Sequence, residues 1–217
     1  MKKRLRISIL TDNPSSWYVP YARKLKKRLA SFGHDVKHVY KANRLRKGDV
    51  AFFLSCEKIV GRDVRARHPH NIVIHGSAVP KGRGWSPLSW SVLEGKSVLP
   101  VSLFEADDNV DHGNVYATKT FKLDGHELID EIRAKEAAVI EELAVAFVLQ
   151  YPPGRGTPQS GKATYYPRRT PDDCEFDPAQ PLLKHFNLLR IVDNKRYPAH
   201  FKHKGQTYIL RIHKKKD

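Results

Sequence analysis

The apolar positions change period along the chain, and the changes mark its elements. RLRISIL (residues 4–10) reads as a strand, and TDNPSS supplies turn and helix-start residues. Tyr18, Tyr21, Ala22, Leu25, Leu29 and Phe32 then recur at helical spacing, with Arg23, Lys24, Lys26, Lys27 and Arg28 between them and Gly33 as a stop. HDVKHVY (34–40), DVAFFLS (49–55) and HNIVIH (70–75) read as three further strands, the last apolar enough for a doubly covered parallel position. SPLSWSVLEG (86–95) predicts a short helix with Ser86 as N-cap and Pro87 in its first turn. SVLPVSLFEA (97–106) and NVYATKTFKL (114–123) predict two more strands. The clearest helix is 124–150, with Asp124 and Glu127 at capping-box spacing and Leu128, Ile132, Val139, Leu143 and Phe147 on one face.

This alternation predicts an α/β fold over residues 1–150: a Rossmann-like, mostly parallel sheet with helices on both faces. Beyond it, YPPGRGTPQSGKATYYPRRTPDD (151–173) is Gly-, Pro- and Thr-rich and reads as loop. One helix (178–192) and a hairpin (199–213) follow, so residues 151–217 are expected to form a small C-terminal α+β subdomain, its exposed hairpin available for a homodimer contact.

Composition narrows the class. A hydrophobic content of 40% and a charged content of 29% belong to globular chains. No apolar run reaches the length of a membrane span, and the apolar part of the opening MKKRLRISIL is too short for a signal peptide, so the expectation is a cytoplasmic protein. The two cysteines, Cys56 and Cys174, have no partners at ligand spacing, which argues against a disulfide framework or a zinc ribbon. The net charge of +16 implies a polyanionic partner, whether nucleic acid, anionic membrane or a phosphorylated small molecule.

Two motifs fail on inspection. GTPQSGKA (156–163) nearly matches a phosphate-binding loop but ends in Ala163, where a hydroxyl would hold magnesium, and no strand precedes it. His68, His70 and His75 suggest a metal, yet strand alternation puts His70 and His75 on opposite faces and no carboxylate or thiolate follows at ligand spacing, so His68 and His70 are read as structural or surface residues. No metal is expected.

What remains is HGSAVPKGRGWSP (75–87), a polar loop rich in Gly and Pro at the C-terminal end of an interior strand, where open α/β sheets bind ligands. EADDNVDHGN (105–114) leaves the next strand and brings Asp111 to the corresponding edge. A carboxylate there orients the imidazole of His75 for proton transfer, although a buried structural His–Asp pair satisfies the same spacing.

The sequences HGSAVPKGRGWSPLSWSVLEG and VSLFEADDNVDHGNVY resemble the formyltransferase family, which includes methionyl-tRNA formyltransferases and sugar-nucleotide N-formyltransferases. SWYVPYARKL, FFLSCEKIV, YYPRRTPDD and FNLLRIVDNKRYPAHFKHKG look most like the formyltransferases of pseudaminic-acid-type pathways, and this C-terminal likeness favours an amino-sugar enzyme over the tRNA enzyme, whose C-terminal domain is usually larger.

The resemblance implies transfer of a formyl group from 10-formyltetrahydrofolate to the primary amine of a nucleotide-linked sugar, with a UDP-4-amino-4,6-dideoxy sugar as the expected acceptor. It implies His75 and Asp111 as catalytic residues. The family's catalytic asparagine falls at Val73, which leaves Ser77, Asn71 or a backbone N–H to hold the oxyanion. Backbone of Cys56, Glu57, Lys58 and Ile59 and of Ala106, Asp107, Asp108, Asn109 and Val110 is expected to hold the pterin, with Cys56 itself no more than a buried small residue. Lys81 and Arg83 are expected at a diphosphate and Trp85 against a base or sugar, with Arg168 and Arg169 as further phosphate candidates. Two alternatives stand beside this reading: formylation of methionyl-tRNA, which the positive charge suits, and a non-catalytic basic binding module.

Overall fold

The computed structural model describes residues 3–215; the outermost residues of the two basic termini lie outside it. Four strands, β1 (Arg6–Leu10), β2 (Asp35–Val39), β3 (Val50–Phe53) and β4 (His70–His75), pair in parallel in the order β2-β1-β3-β4. Two more, β6 (Val98–Glu105) and β7 (Val115–Lys122), extend the sheet beyond β4. The fold is the Rossmann-like one that the alternation predicts.

The sheet departs from the expectation at β4. β6 runs antiparallel to it, with Ile72 opposite Glu105 and His75 opposite Ser102. The chain therefore leaves β6 beside the start of β4, not beside its end, and the 106–114 loop must fold back to bring Asp111 near His75. Strand direction depends on the path of the connection, here a loop and the seven-residue helix α3 (Pro87–Leu93). Nothing in the local period of a strand encodes it.

The long helices α1 (Val19–Ser31) and α4 (Ile129–Leu149) cover one face of the sheet, burying Leu25, Leu29, Ile140 and Phe147 against Ile7, Ile9, Phe52 and Val101. The other face carries the one-turn helix α2 (Arg62–Arg65), the 42–45 turn and Val60, with Val64, Leu45 and Val60 meeting Leu10, Ala51 and Phe53. Two helix starts move from their expected places. Asp124 does not begin α4; Glu131 accepts the Leu128 N–H at 2.8 Å, while Glu127 accepts the N–H groups of Asp124 and Gly125 in the turn before. Ser86 occupies the N-cap position of α3 but is left-handed (φ 49°) and makes no side-chain cap, because the loop before it is held elsewhere.

What holds it is the stretch read as plain loop. β8 (Tyr165–Tyr166) pairs in parallel with β5 (Arg83–Gly84), and Trp90 donates to the Pro167 carbonyl at 3.0 Å. Gly84 is required there: φ is +93° and an added Cβ would lie 2.6 Å from the Tyr166 carbonyl oxygen. Downstream, a 3₁₀ turn (Leu182–His185) leads into the short α5 (Phe186–Ile191), and β9 (Ala199–His203) with β10 (Gln206–Leu210) forms the expected hairpin. Ile191 joins Leu88, Val92, Leu99 and Ile132 in a shared core, and the buried Arg190 pairs with Glu127 at 2.9 Å, so this segment is packed onto the α/β domain.

Candidate active site

A cavity of about 620 Å³ opens at the C-terminal end of β4. Its lining includes Val73, Ile74, His75 and Gly76 from β4 and the turn after it, the loop after β3 (Ser55 to Val60), most of the loop after β6 (Ala106 to His112), the start of α3, and α4 through Arg133, Glu136 and Ile140.

His75 is fixed at one nitrogen. Its Nε2 lies 3.0 Å from the carbonyl oxygen of Gly82 and 3.6 Å from Asp111 Oδ2, both of them acceptors, so Nε2 carries the hydrogen. Nδ1 has no partner among the described residues and is left with a free lone pair. Asp111 Oδ2 also accepts the Gly84 N–H at 2.9 Å, and Asp111 itself is left-handed (φ 51°). The fold thus brings together the two residues that the sequence singled out.

Several other expected residues stand elsewhere. Asn71 and Ser77 do not line the cavity: Asn71 Nδ2 ties down the carbonyls of Arg65 and His68, and the Ser77 hydroxyl is buried without a partner behind the loop. Val73 does line it, so the position of the family asparagine offers an apolar side chain. Lys81 is exposed and outside the lining. Arg83 is buried, and its guanidinium is occupied by Gln159 Oε1 at 2.6 Å and Tyr165 Oη at 3.1 Å; Gln159 Nε2 in turn donates to the carbonyls of Asp111 and Gly113, each at 2.9 Å. A buried guanidinium needs its donors satisfied internally, so Arg83 braces the loop that carries Asp111 and is not available to a phosphate. Trp85, Arg168 and Arg169 do line the cavity, and the Arg168 guanidinium lies over the Trp85 ring at 4.7 Å while also reaching Glu57 at 3.4 Å.

The two loops expected to hold a pterin form one wall: Cys56, Glu57, Lys58, Ile59, Ala106, Asp107, Asn109 and Val110 all line the cavity, and Asp108 alone does not, paired outside with Arg65. Sequence reasoning missed what shapes this wall. Asp12 accepts the N–H groups of Glu57 and Lys58, each at 2.8 Å, and Arg65 clamps both loops by donating to the carbonyls of Val60 and Ala106 at 3.1 and 3.0 Å. One acid in a turn and one arginine among many carry no local signal of such a role. Burial pushes the Cys56 thiol up to about 12, which makes it a packing residue rather than a nucleophile. Burial likewise pulls His68 down to about 4, and His70 sits against Glu105 and Phe147. Asp124, His126 and Glu127 lie together, but Glu127 is already bound by Arg190, Lys135 and two backbone N–H groups.

Glu136 is the other residue that sequence reasoning missed, although its signal was present: a carboxylate four residues after Ile132 and three before Val139 falls inside the apolar stripe of α4. It is 5% exposed. Burial pushes its carboxyl up to about 7, against the opposing charge of Arg133. An acid whose folded value lies above its unfolded one costs stability from pH 4.5 upward, with the full cost present above 7. Glu136→Gln is therefore expected to stabilise the protein by about 3 kcal/mol at pH 8 and to have little effect at pH 4, as read from denaturant melts of both proteins across this range.

The sheet is Rossmann-like, and a histidine and an aspartate converge in a cavity at its loop ends. Residues 18–147 match the formyl transferase family model, and the chain belongs to that family. It is 26% identical over 145 residues to the methionyl-tRNA formyltransferase of Thermodesulfovibrio yellowstonii, a match that covers 65% of this chain but 47% of that protein, so the chain spans about half the length of this curated relative. Among solved structures it resembles a methionyl-tRNA formyltransferase from Clostridium thermocellum (TM-score 0.81, 23% identity, 98% of this chain and 94% of that one). It also resembles HypX from Aquifex aeolicus in complex with tetrahydrofolic acid (TM-score 0.79, 20%, 97% and 38%) and a sugar N-formyltransferase from a Shewanella species (TM-score 0.67, 14%, 96% and 97%). At these identities the structures speak for the fold. Chains named for both acceptors share this fold, so the likeness in fold does not choose between them.

Proposed function

We propose that the protein transfers a formyl group from 10-formyltetrahydrofolate to the primary amine of a nucleotide-linked amino sugar. The observation that carries this reading is the His75–Asp111 pair in a cavity walled by the 55–60 and 106–112 loops. The residues fit the donor: the cavity volume is within the range that holds a small ligand, and Lys58 stands in its lining for an anionic tail. When bound, the donor supplies an activated formyl carbon.

The chain does the rest. An amine attacks only when neutral, and the free Nδ1 of His75 accepts the proton released as the adduct forms, while Asp111, 3.6 Å from Nε2, stabilises the resulting imidazolium. With Val73 at the asparagine position, the imidazolium also serves as a donor for the oxyanion. The acceptor end favours a nucleotide sugar: Arg168 and Trp85 offer a cation and an aromatic face side by side, and Arg169 and Arg196 add charge for a diphosphate. Methionyl-tRNA is the second acceptor, favoured by the net charge of +16 and by relatives that carry its name.

The test is to incubate the protein with 10-formyltetrahydrofolate and a UDP-4-amino-4,6-dideoxy sugar and to look by mass spectrometry for the added carbonyl mass. Formylated sugar is the expected result. Formylation of methionyl-tRNA alone would exchange the acceptor, and no product with either acceptor would leave the binding module.

A further inference from the structure

We propose that Glu136 receives the acceptor amine: its carboxylate binds the substrate ammonium beside His75 and takes the first proton from it. The inference rests on the reading of formyl transfer to a primary amine.

Five acidic residues line the cavity, and four are already engaged. Glu57 accepts from Asn13 at 2.8 Å, Asp107 from the Asn109 N–H at 2.8 Å, Asp111 from the Gly84 N–H at 2.9 Å, and Asp193 from Arg133 at 3.1 Å. Glu136 alone accepts no hydrogen bond from any described residue, although it is the most buried of them. Buried carboxylates are satisfied as a rule, so an unsatisfied one facing a cavity marks a missing cationic or N–H partner. Arg133, one turn earlier on α4, is not that partner, since its guanidinium is held by Asp193 and lies over the Trp17 ring at 5.5 Å.

Glu136 is also placed at the reacting end. An ideal Cβ on Gly76, the residue after His75, would fall 2.3 Å from Glu136 Oε1, so the missing side chain at 76 is what admits the carboxylate against the backbone next to the histidine. Tyr18, whose buried hydroxyl has no partner, lines the same region and can serve a neighbouring polar group of the substrate. The charged and titratable groups facing Glu136 are thus Arg133, Tyr18 and His75.

The chemistry balances. R–NH3⁺ and Glu136–COO⁻ give R–NH2 and Glu136–COOH: one N–H bond breaks, one O–H bond forms, and the nitrogen keeps the electron pair that then bonds the formyl carbon. His75 takes the second proton from the adduct and returns it to the departing nitrogen of the donor; the proton on Glu136 leaves to solvent with the product. A carboxyl raised to about 7 is poised for this exchange near neutral pH.

Calorimetric titration of the wild type and Glu136→Gln with UDP-4-amino-4,6-dideoxyglucose, and with its counterpart bearing a hydroxyl in place of the amine, tests this. Wild type should prefer the amine by about tenfold or more, and the variant should bind both sugars alike, with the hydroxyl sugar bound as by wild type. At pH 6, amine binding should release a proton from wild type and none from the variant, seen as a heat that depends on the buffer. A wild type that does not favour the amine, or a variant that keeps the preference, overturns the inference. Wild-type binding of neither sugar overturns it together with the sugar acceptor. Transfer assays separate the two levels: no formylation of any amine by wild type sinks the underlying reading, whereas equal KM and pH profile for both proteins sinks only the role of Glu136.

Discussion

His75→Ala should lower kcat/KM for formyl transfer by about 10²–10⁴-fold, the usual worth of a positioned general base, while the protein stays folded. The side chain stands at the end of β4 and, through Nε2, bonds only the Gly82 carbonyl oxygen and faces Asp111, so its removal leaves the buried part of the strand untouched. Asp111→Asn should cost less. The amide oxygen can still accept the Gly84 N–H, and the brace through Gln159 binds the backbone rather than the carboxylate, so the loop is retained and only the stabilisation of the imidazolium is lost. Rates on formylated product measure both, with melting curves as the control for folding. A His75→Ala rate within about tenfold of wild type would remove the histidine from the chemistry.

Arg190→Ala should destabilise the protein by about 3 kcal/mol, the lower part of the range for breaking a buried ion pair. Arg190 is 4% exposed, its Nε and Nη2 each 2.9 Å from oxygens of Glu127, and its loss leaves the Glu127 carboxylate buried with Lys135 as its remaining cation at 2.5 Å. Burial pushes the Glu127 carboxyl up, but Lys135 and the N–H groups of Asp124 and Gly125 overcome this and hold it well below the usual carboxylate range. The stabilisation by its charge is therefore full above pH 4.5 and fades as the pH falls below that value. Denaturant unfolding at pH 7 should show the loss, and Arg190→Met combined with Glu127→Leu should recover much of it. A single variant as stable as wild type would mean that the pair does not hold α5 to the head of α4.

Much of this molecule follows from local pattern. Strand and helix periods placed all six strands of the main sheet and both long helices, because each element's apolar spacing is set by its own backbone geometry. The HGSAVPKGRGWSP and EADDNVDHGN loops were recognisable for a similar reason: residues that break regular structure cluster there with residues that carry chemistry. His75 and Asp111 were legible as candidates on those loops, yet their 3.6 Å approach was not, because the loop after β6 must double back along a strand of opposite direction.

The tertiary structure alone decided where the other side chains are used. Arg83 looks like a free cation in the sequence and becomes a buried brace because residues 159–166 return to pair with its loop. Asp12 and Arg65 shape the wall formed by the 55–60 and 106–112 loops from a distance in the chain. Glu136 shows in the sequence only as an acid inside the apolar stripe of α4, and the packing of that helix turns it toward Gly76. The sequence by itself determined which segments become strands, helices and functional loops, since those choices are made over a few neighbouring residues. Strand direction, the partner of each buried charge and the one cavity-lining carboxylate without a partner among the described residues were decided by contacts between residues far apart in the chain, which no local spacing records.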